Sequence, residues 1–129
     1  MRYAFLVAVP LIALGAQSAT PQSPAVVNVQ LSSFKFTPRT IVLDRGRAYM
    51  LRLTNASKDG HDFTAPSFFA AARVAAADRH MVRGGEVEVH PGMTHEIRLT
   101  APAAPGRYKL KCTHRFHKLL GMSGTIIVR

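Results

Sequence analysis

The chain has 129 residues, of which 17 are basic and 7 acidic, for a formal charge of +10, and 47% of it is hydrophobic. That length holds one domain around one core, and the composition excludes both a disordered chain and a scaffold built on disulfides, since cysteine occurs once. A positive excess favours acidic surfaces as partners, but the cations are scattered along the chain instead of clustered, which argues against nucleic acid.

Met1-Arg2-Tyr3 is followed by an apolar run from Ala4 to Ala16 and then by small and polar residues through Thr20. A basic start, a short apolar stretch and a small-residue exit predict a secretory signal peptide over residues 1–19. The run is shorter than the roughly 20 apolar residues a membrane-spanning helix needs, so no stable insertion is expected after cleavage. The expected mature chain, residues 20–129, is then periplasmic or secreted. Loss of Arg2 leaves it 16 basic residues against 7 acidic, a formal +9.

From Val26 the pattern alternates: Val27, Val29 and Leu31 are separated by Asn28 and Gln30, the signature of a strand with one buried face. Ser33 to Phe36 extends the alternation toward Pro38. Ile41-Val42-Leu43, the Asp44-Arg45-Gly46 turn and the run Ala48 to Thr54 follow, and the polar stretch Asn55 to Gly60 leads into His61-Asp62-Phe63-Thr64. The alanine-rich segment Ser67 to Ala77 reads as one helix capped by Ser67, with Phe68 and Phe69 as anchors. Glu86 to Val89, the Pro91-Gly92 turn, Glu96 to Thr100, Tyr108 to Cys112 and Gly124 to Arg129 complete the series. Seven or eight short strands with Pro/Gly punctuation predict an all-β fold, an antiparallel sandwich or barrel with one short helical insertion.

Cys112 alone could be a buried apolar filler, half of an intermolecular bridge, or a metal ligand. Its setting, Cys112-Thr113-His114-Arg115-Phe116-His117-Lys118-Leu119-Leu120-Gly121-Met122, spaces thiol, imidazole and thioether as C-x4-H-x4-M between two strands. A loop of this length brings all three to one ion at small entropic cost. Two histidines and a thiolate with a distant methionine make a blue-copper electron-transfer site, and His61 is placed to supply the second imidazole. His114 is a rival to His117 within the loop. His80, Met81, His90, Met93 and His95 are also metal-ready, although exposed turn residues are their plainer reading.

The segments Asn55…His61-Asp62-Phe63, Pro91-Gly92-Met93, Pro105-Gly106-Arg107-Tyr108…Cys112, His117 and Gly121-Met122-Ser123-Gly124 resemble the cupredoxin family over essentially the whole mature chain. The spacing from Cys112 to His117 is similar to that of its rusticyanin-like members. The resemblance implies a Greek-key β-sandwich holding one copper ion, cycling between Cu(I) and Cu(II), on His61, Cys112, His117 and Met122. It implies single-electron transfer between redox-partner proteins. Arg115 and Lys118 beside the loop suggest that those partners present acidic docking surfaces, and a monomer is expected. Arg115-Phe116 stands where many members have Pro-Gly, and Asp62 stands where asparagine is frequent. Asp62 and Thr113 are expected to tie the two ligand segments together, and an uncapped carboxylate at Asp62 would lower the reduction potential. Leu119 and Leu120 are expected on an apolar rim around the electron port at His117. A copper carrier or copper-resistance protein would use the same ligands, and an adhesion-type sandwich with a merely buried Cys112 would bind no copper. An enzyme is disfavoured, because four protein ligands leave a metal no open position for substrate.

Overall fold

Along β1 (Ala25–Ser32) burial alternates and deepens until Val29 and Leu31 lie sealed in the core, as the valine–leucine spacing requires. The computed structural model describes residues 15, 16, 18, 20, 22–115 and 120–129, so most of the expected signal segment, and His117 with it, lies outside the described residues. No described helix is long and apolar enough to cross a membrane.

Two five-stranded sheets make the sandwich. In the first, β2 (Lys35–Thr37), β1, β4 (Ala48–Asn55), β8 (Thr94–Thr100) and β6 (Arg73–Val74) lie side by side. In the second the order is β3 (Thr40–Leu43), β10 (Ser123–Val128), β9 (Gly106–Lys111), β5 (His61–Thr64) and β7 (Glu86–Val89). Most neighbours are antiparallel as expected, but β1 runs parallel to β4 and β3 parallel to β10. Each of these pairings lies within one sheet and joins strands that are not neighbours in sequence.

Phe63 lies at the centre of the core, fully buried, with Phe36 and Phe69 edge-on to it at centroid distances of 6.0 Å each. Phe68 continues the cluster to Phe69 at 5.4 Å and to Tyr108 at 5.7 Å. Such edge-to-face pairs add about 0.5–1.5 kcal/mol each beyond area burial.

Two local expectations are corrected. Phe34 does not extend the alternation: it sits at φ 63° in the tight turn between β1 and β2, where Ser32 pairs with Lys35, and the residue is 39% exposed. A two-residue hairpin of this kind demands a left-handed residue, and the turn overrides the side chain's preference for burial. The alanine-rich segment is not one helix either. α1 spans only Pro66–Ala71, with Pro66 in its first turn and Ala65, not Ser67, at the N-cap. Arg73 and Val74 then pair with Thr100 and Leu99 of β8, and a 3-10 helix follows over Ala76–Met81. Sheet pairing outweighs alanine's helix preference here.

Asp78, in that 3-10 helix, is 5% exposed and receives the Arg98 backbone N–H at 2.9 Å and the guanidinium at 2.9 and 3.0 Å. The Arg98 hydrogen bonds hold its carboxyl below the usual value, against the opposing effect of burial. A carboxyl depressed on folding contributes stability above its unfolded pKa of about 3.9 and loses it as pH falls through the folded value. Urea unfolding of the wild type should therefore show falling stability below about pH 4, with a shallower fall in Asp78→Asn. Parallel pH profiles for the two proteins would remove the pair from the acid response.

Candidate metal centre

One end of the sandwich gathers the ligand-type side chains. β4 stops at Asn55, the loop 56–60 turns back, and His61 opens β5; β9 stops at Lys111 directly before Cys112; Met122 immediately precedes β10. Asn55 fixes the first of these connections. Fully buried, it donates its amide to the carbonyls of Asp59 (2.8 Å) and Val89 (2.9 Å) and accepts from the Ser57 N–H and hydroxyl at 2.9 and 2.8 Å. A Cβ at Gly60 would stand 3.2 Å from both Glu88 Oε1 and His114 Cε1, so the loop closes tightly against its neighbours.

His61, Cys112 and Met122 are each at most 1% exposed. Cys112 Sγ lies 4.0 Å from His61 Nδ1 and accepts the Asp62 backbone N–H at 3.4 Å, while the Cys112 N–H donates to the Met122 carbonyl at 3.1 Å. Burial pushes the Cys112 thiol up, partly offset by backbone N–H groups of Asp62 and His114 that favour the thiolate. A metal binding there displaces the thiol proton, which couples uptake to pH. Two ligands on one first-row ion, with bonds of about 2.0–2.3 Å, stand about 3.5–4 Å apart when in a trigonal plane. The Sγ–Nδ1 separation meets that requirement, and the thiol–imidazole–thioether donor set is the soft one that copper selects.

Asp62 is fully buried, and its carboxylate is capped rather than bare. It accepts the Thr113 N–H at 2.9 and 3.0 Å, the Thr113 hydroxyl at 2.7 Å and the Thr64 hydroxyl at 2.6 Å. The expected tie between the two ligand segments is thus made by Asp62 and Thr113 as the sequence suggested. His114 turns to the same cluster: its Nε2 stands 2.9 and 3.0 Å from the Glu88 carboxylate oxygens and 3.8 Å from Asp62 Oδ2. Metal-ligating atoms of Asp62, Glu88 and His114 come within 4.8 Å of one another, but hydrogen bonds already occupy them, and the cluster works as a clamp.

His117, together with Phe116, Lys118 and Leu119, lies outside the described residues. Leu120 is 58% exposed, as a rim residue should be. His80 and Met81 end the 3-10 helix, His90 and Met93 flank the 91–92 turn, and His95 lies in β8; none joins the described cluster. Sequence reasoning missed Glu88 as the partner of His114. Strand alternation places Glu88 on the outer face of β7, but a contact across 26 residues leaves no local signal.

A family model described as a cupredoxin-like domain matches residues 4–128. Among solved structures, dithionite-reduced auracyanin from Roseiflexus castenholzii superposes with a TM-score of 0.62 at 19% identity, covering 84% of this chain and 99% of that one. Auracyanin A, a blue copper protein of Chloroflexus aurantiacus, gives 0.58 at 19% identity over 83% and 100% of the two chains. Auracyanin B gives 0.60 at 18% identity over 88% and 95%. At these identities the likeness is one of fold. No curated protein matches the chain.

Proposed function

This chain belongs to the cupredoxin-like family, and from that premise we propose that it is a periplasmic type 1 (blue) copper protein carrying single electrons between redox partners, with His61, Cys112, His117 and Met122 as its ligands. The observation that carries the reading is the approach of Cys112 Sγ to His61 Nδ1 at 4.0 Å in a buried pocket, with Met122 tied by its carbonyl to the Cys112 N–H. Copper bound there would supply a reversible Cu(I)/Cu(II) couple. The protein's own part is to hold the donors still. The Asn55 network fixes the strand entry at His61, Asp62 fixes the Cys112-Thr113 turn, and near-complete burial excludes water. A rigid dry site needs little rearrangement when its charge changes by one. The engagement of His114 by Glu88 supports His117 as the loop ligand.

The turns and loops at this end also carry Phe34, Met93 and Leu120, 39%, 49% and 58% exposed. Isolated apolar groups on such a rim suit brief, small-area redox encounters.

Protein expressed with its leader, recovered outside the cytoplasm and starting between Gln17 and Pro21, should develop an intense thiolate-to-copper band on addition of Cu(II). His117→Gly should lose that band until imidazole is supplied, while His114→Ala should keep it. Wild-type protein showing only weak copper–nitrogen absorption would end the electron-transfer reading in favour of copper carriage. The reverse behaviour of the two histidine variants would move the loop ligand to His114.

A further inference from the structure

β9 alternates strictly: Tyr108 and Leu110 turn inward, while Arg107, Lys109 and Lys111 are exposed on the outer face. Successive same-face positions on a strand are about 7 Å apart, so three cations form a row about 13 Å long. Arg39 lengthens it sideways, because its guanidinium donates to the Ser123 carbonyl (3.2 Å) and hydroxyl (3.4 Å), and Ser123 is the register partner of Lys111.

All seven acidic residues of the chain lie within the described region, and none forms a salt bridge with this row. Asp44, Glu96 and Asp78 pair with Arg47 and Arg129, Arg52, and Arg98, while Asp62 and Glu88 belong to the His114 clamp. Glu86 shares the sheet face, but it is two strands from Lys111, at about 10 Å, through the register Lys111–Thr64–Glu86. Lysine on an exposed edge strand has a plain purpose, to deter edge-to-edge pairing. β9 is paired with β10 along its whole length, and on its other side it meets β5 only at Lys111 opposite Thr64, with α1 packed against it there in place of a further strand, so that side is already covered. Self-repelling cations in that position call for another cause.

A groove of about 400 Å³ runs beside the row, lined by Thr64, Pro66, Ser67, Arg107, Lys109 and Lys111 among others. Its upper end is Lys111, one residue from Cys112. We infer that the outer face of β9 is the docking surface for a redox-partner protein that presents a run of carboxylates, seated along Arg107, Lys109 and Lys111. This rests on the electron-transfer reading and adds to it the face and the chemistry of the partner. The row extends the basic surface away from Arg115, so charge guides the partner along β9 while the apolar rim makes the closest contact.

The test uses copper-free mature protein and an octaglutamate peptide as the probe, followed by amide chemical-shift changes at about 0.01 M salt, where the Debye length is about 30 Å. Shifts should concentrate on β9 and fade by about 0.15 M. Arg107→Gln/Lys109→Gln/Lys111→Gln should weaken binding about tenfold or more, whereas Lys35→Gln/Arg45→Gln/Lys58→Gln, with the same loss of charge elsewhere, should change it by less than about twofold. A single Lys109→Gln variant, about threefold weaker, serves if the first triple does not fold. Equal weakening by both triples, or shifts centred elsewhere, would overturn the proposal. So would stronger β9-dependent binding to phosphatidylserine vesicles than to the peptide, which would make the partner a lipid surface. Because no copper is present, this result can fail while the blue band stands, and the reverse.

Discussion

Cys112→Ser should abolish the intense visible band of the Cu(II)-treated protein and leave only weak copper–nitrogen absorption. Cys112 is the only thiol in the chain, so no other side chain can supply the intense thiolate-to-metal transition, and the thioether of Met122 is a much weaker donor. Serine is nearly isosteric, and its hydroxyl can accept the Asp62 N–H that Sγ now accepts at 3.4 Å. Its cost is that of placing a hydroxyl in a fully buried apolar position, about 1–3 kcal/mol. The variant should therefore still fold, which thermal unfolding of the apo protein would check, and the spectral loss can be read as loss of a ligand. A band of wild-type intensity in the folded serine variant would remove Cys112 from the metal centre.

Asp62→Ala should destabilise the apo protein by about 3 kcal/mol in chemical denaturation, one of the larger effects open to a polar substitution. The carboxylate is fully buried and is the charged acceptor for the part-buried Thr113 N–H, so alanine removes a charge-assisted bond at the turn that follows Cys112 and leaves a gap where the carboxylate stood. The two threonine hydroxyls can rotate to new acceptors and lose less. Asp62→Asn keeps one carbonyl oxygen for Thr113 and should cost less than alanine. It also removes a negative charge adjoining the ligand segment, and that charge favours the oxidised state of a bound metal. The reduction potential of Asp62→Asn should accordingly lie above that of the wild type. An unchanged unfolding midpoint in Asp62→Ala would mean that the clamp contributes nothing, and a lowered potential in Asp62→Asn would reverse the sign of the electrostatic account.

Much of the architecture was legible because a sheet has a short period. Val27-Val29-Leu31, Glu86 to Val89 and the alternation of β9 state their buried faces within a few residues, and the strands form where those patterns lie. The candidate ligands Cys112 and Met122 could be singled out for a similar reason: they are close in sequence and bound one loop. The errors occurred where distant pairing decides local form. Nothing within Ser67 to Ala77 announces that Arg73 and Val74 will be taken into a sheet by Thr100 and Leu99. Phe34 reads as a buried strand residue until the hairpin register sets Ser32 against Lys35. The capping of Asp62 by Thr113 was foreseeable from a resemblance, but Glu88 as the holder of His114 was not, since its register is set by β5 against β7.

The placement of β10 bears on when this molecule can fold at all. β10 lies between β3 and β9, hydrogen-bonded to both, so the second sheet has a gap in its middle until Ser123–Val128 have been made. Its parallel partner β3 begins more than 80 residues earlier, at Thr40. Pairing over such a separation is slow, and during synthesis the two halves of that sheet have nothing to join them. A nascent chain would thus hold β3 apart from β9, β5 and β7 until β10 is made, although the five strands of the first sheet all precede it. The strand that completes the second sheet also closes the loop between Cys112 and Met122, so the pocket comes into being in the same event as that sheet.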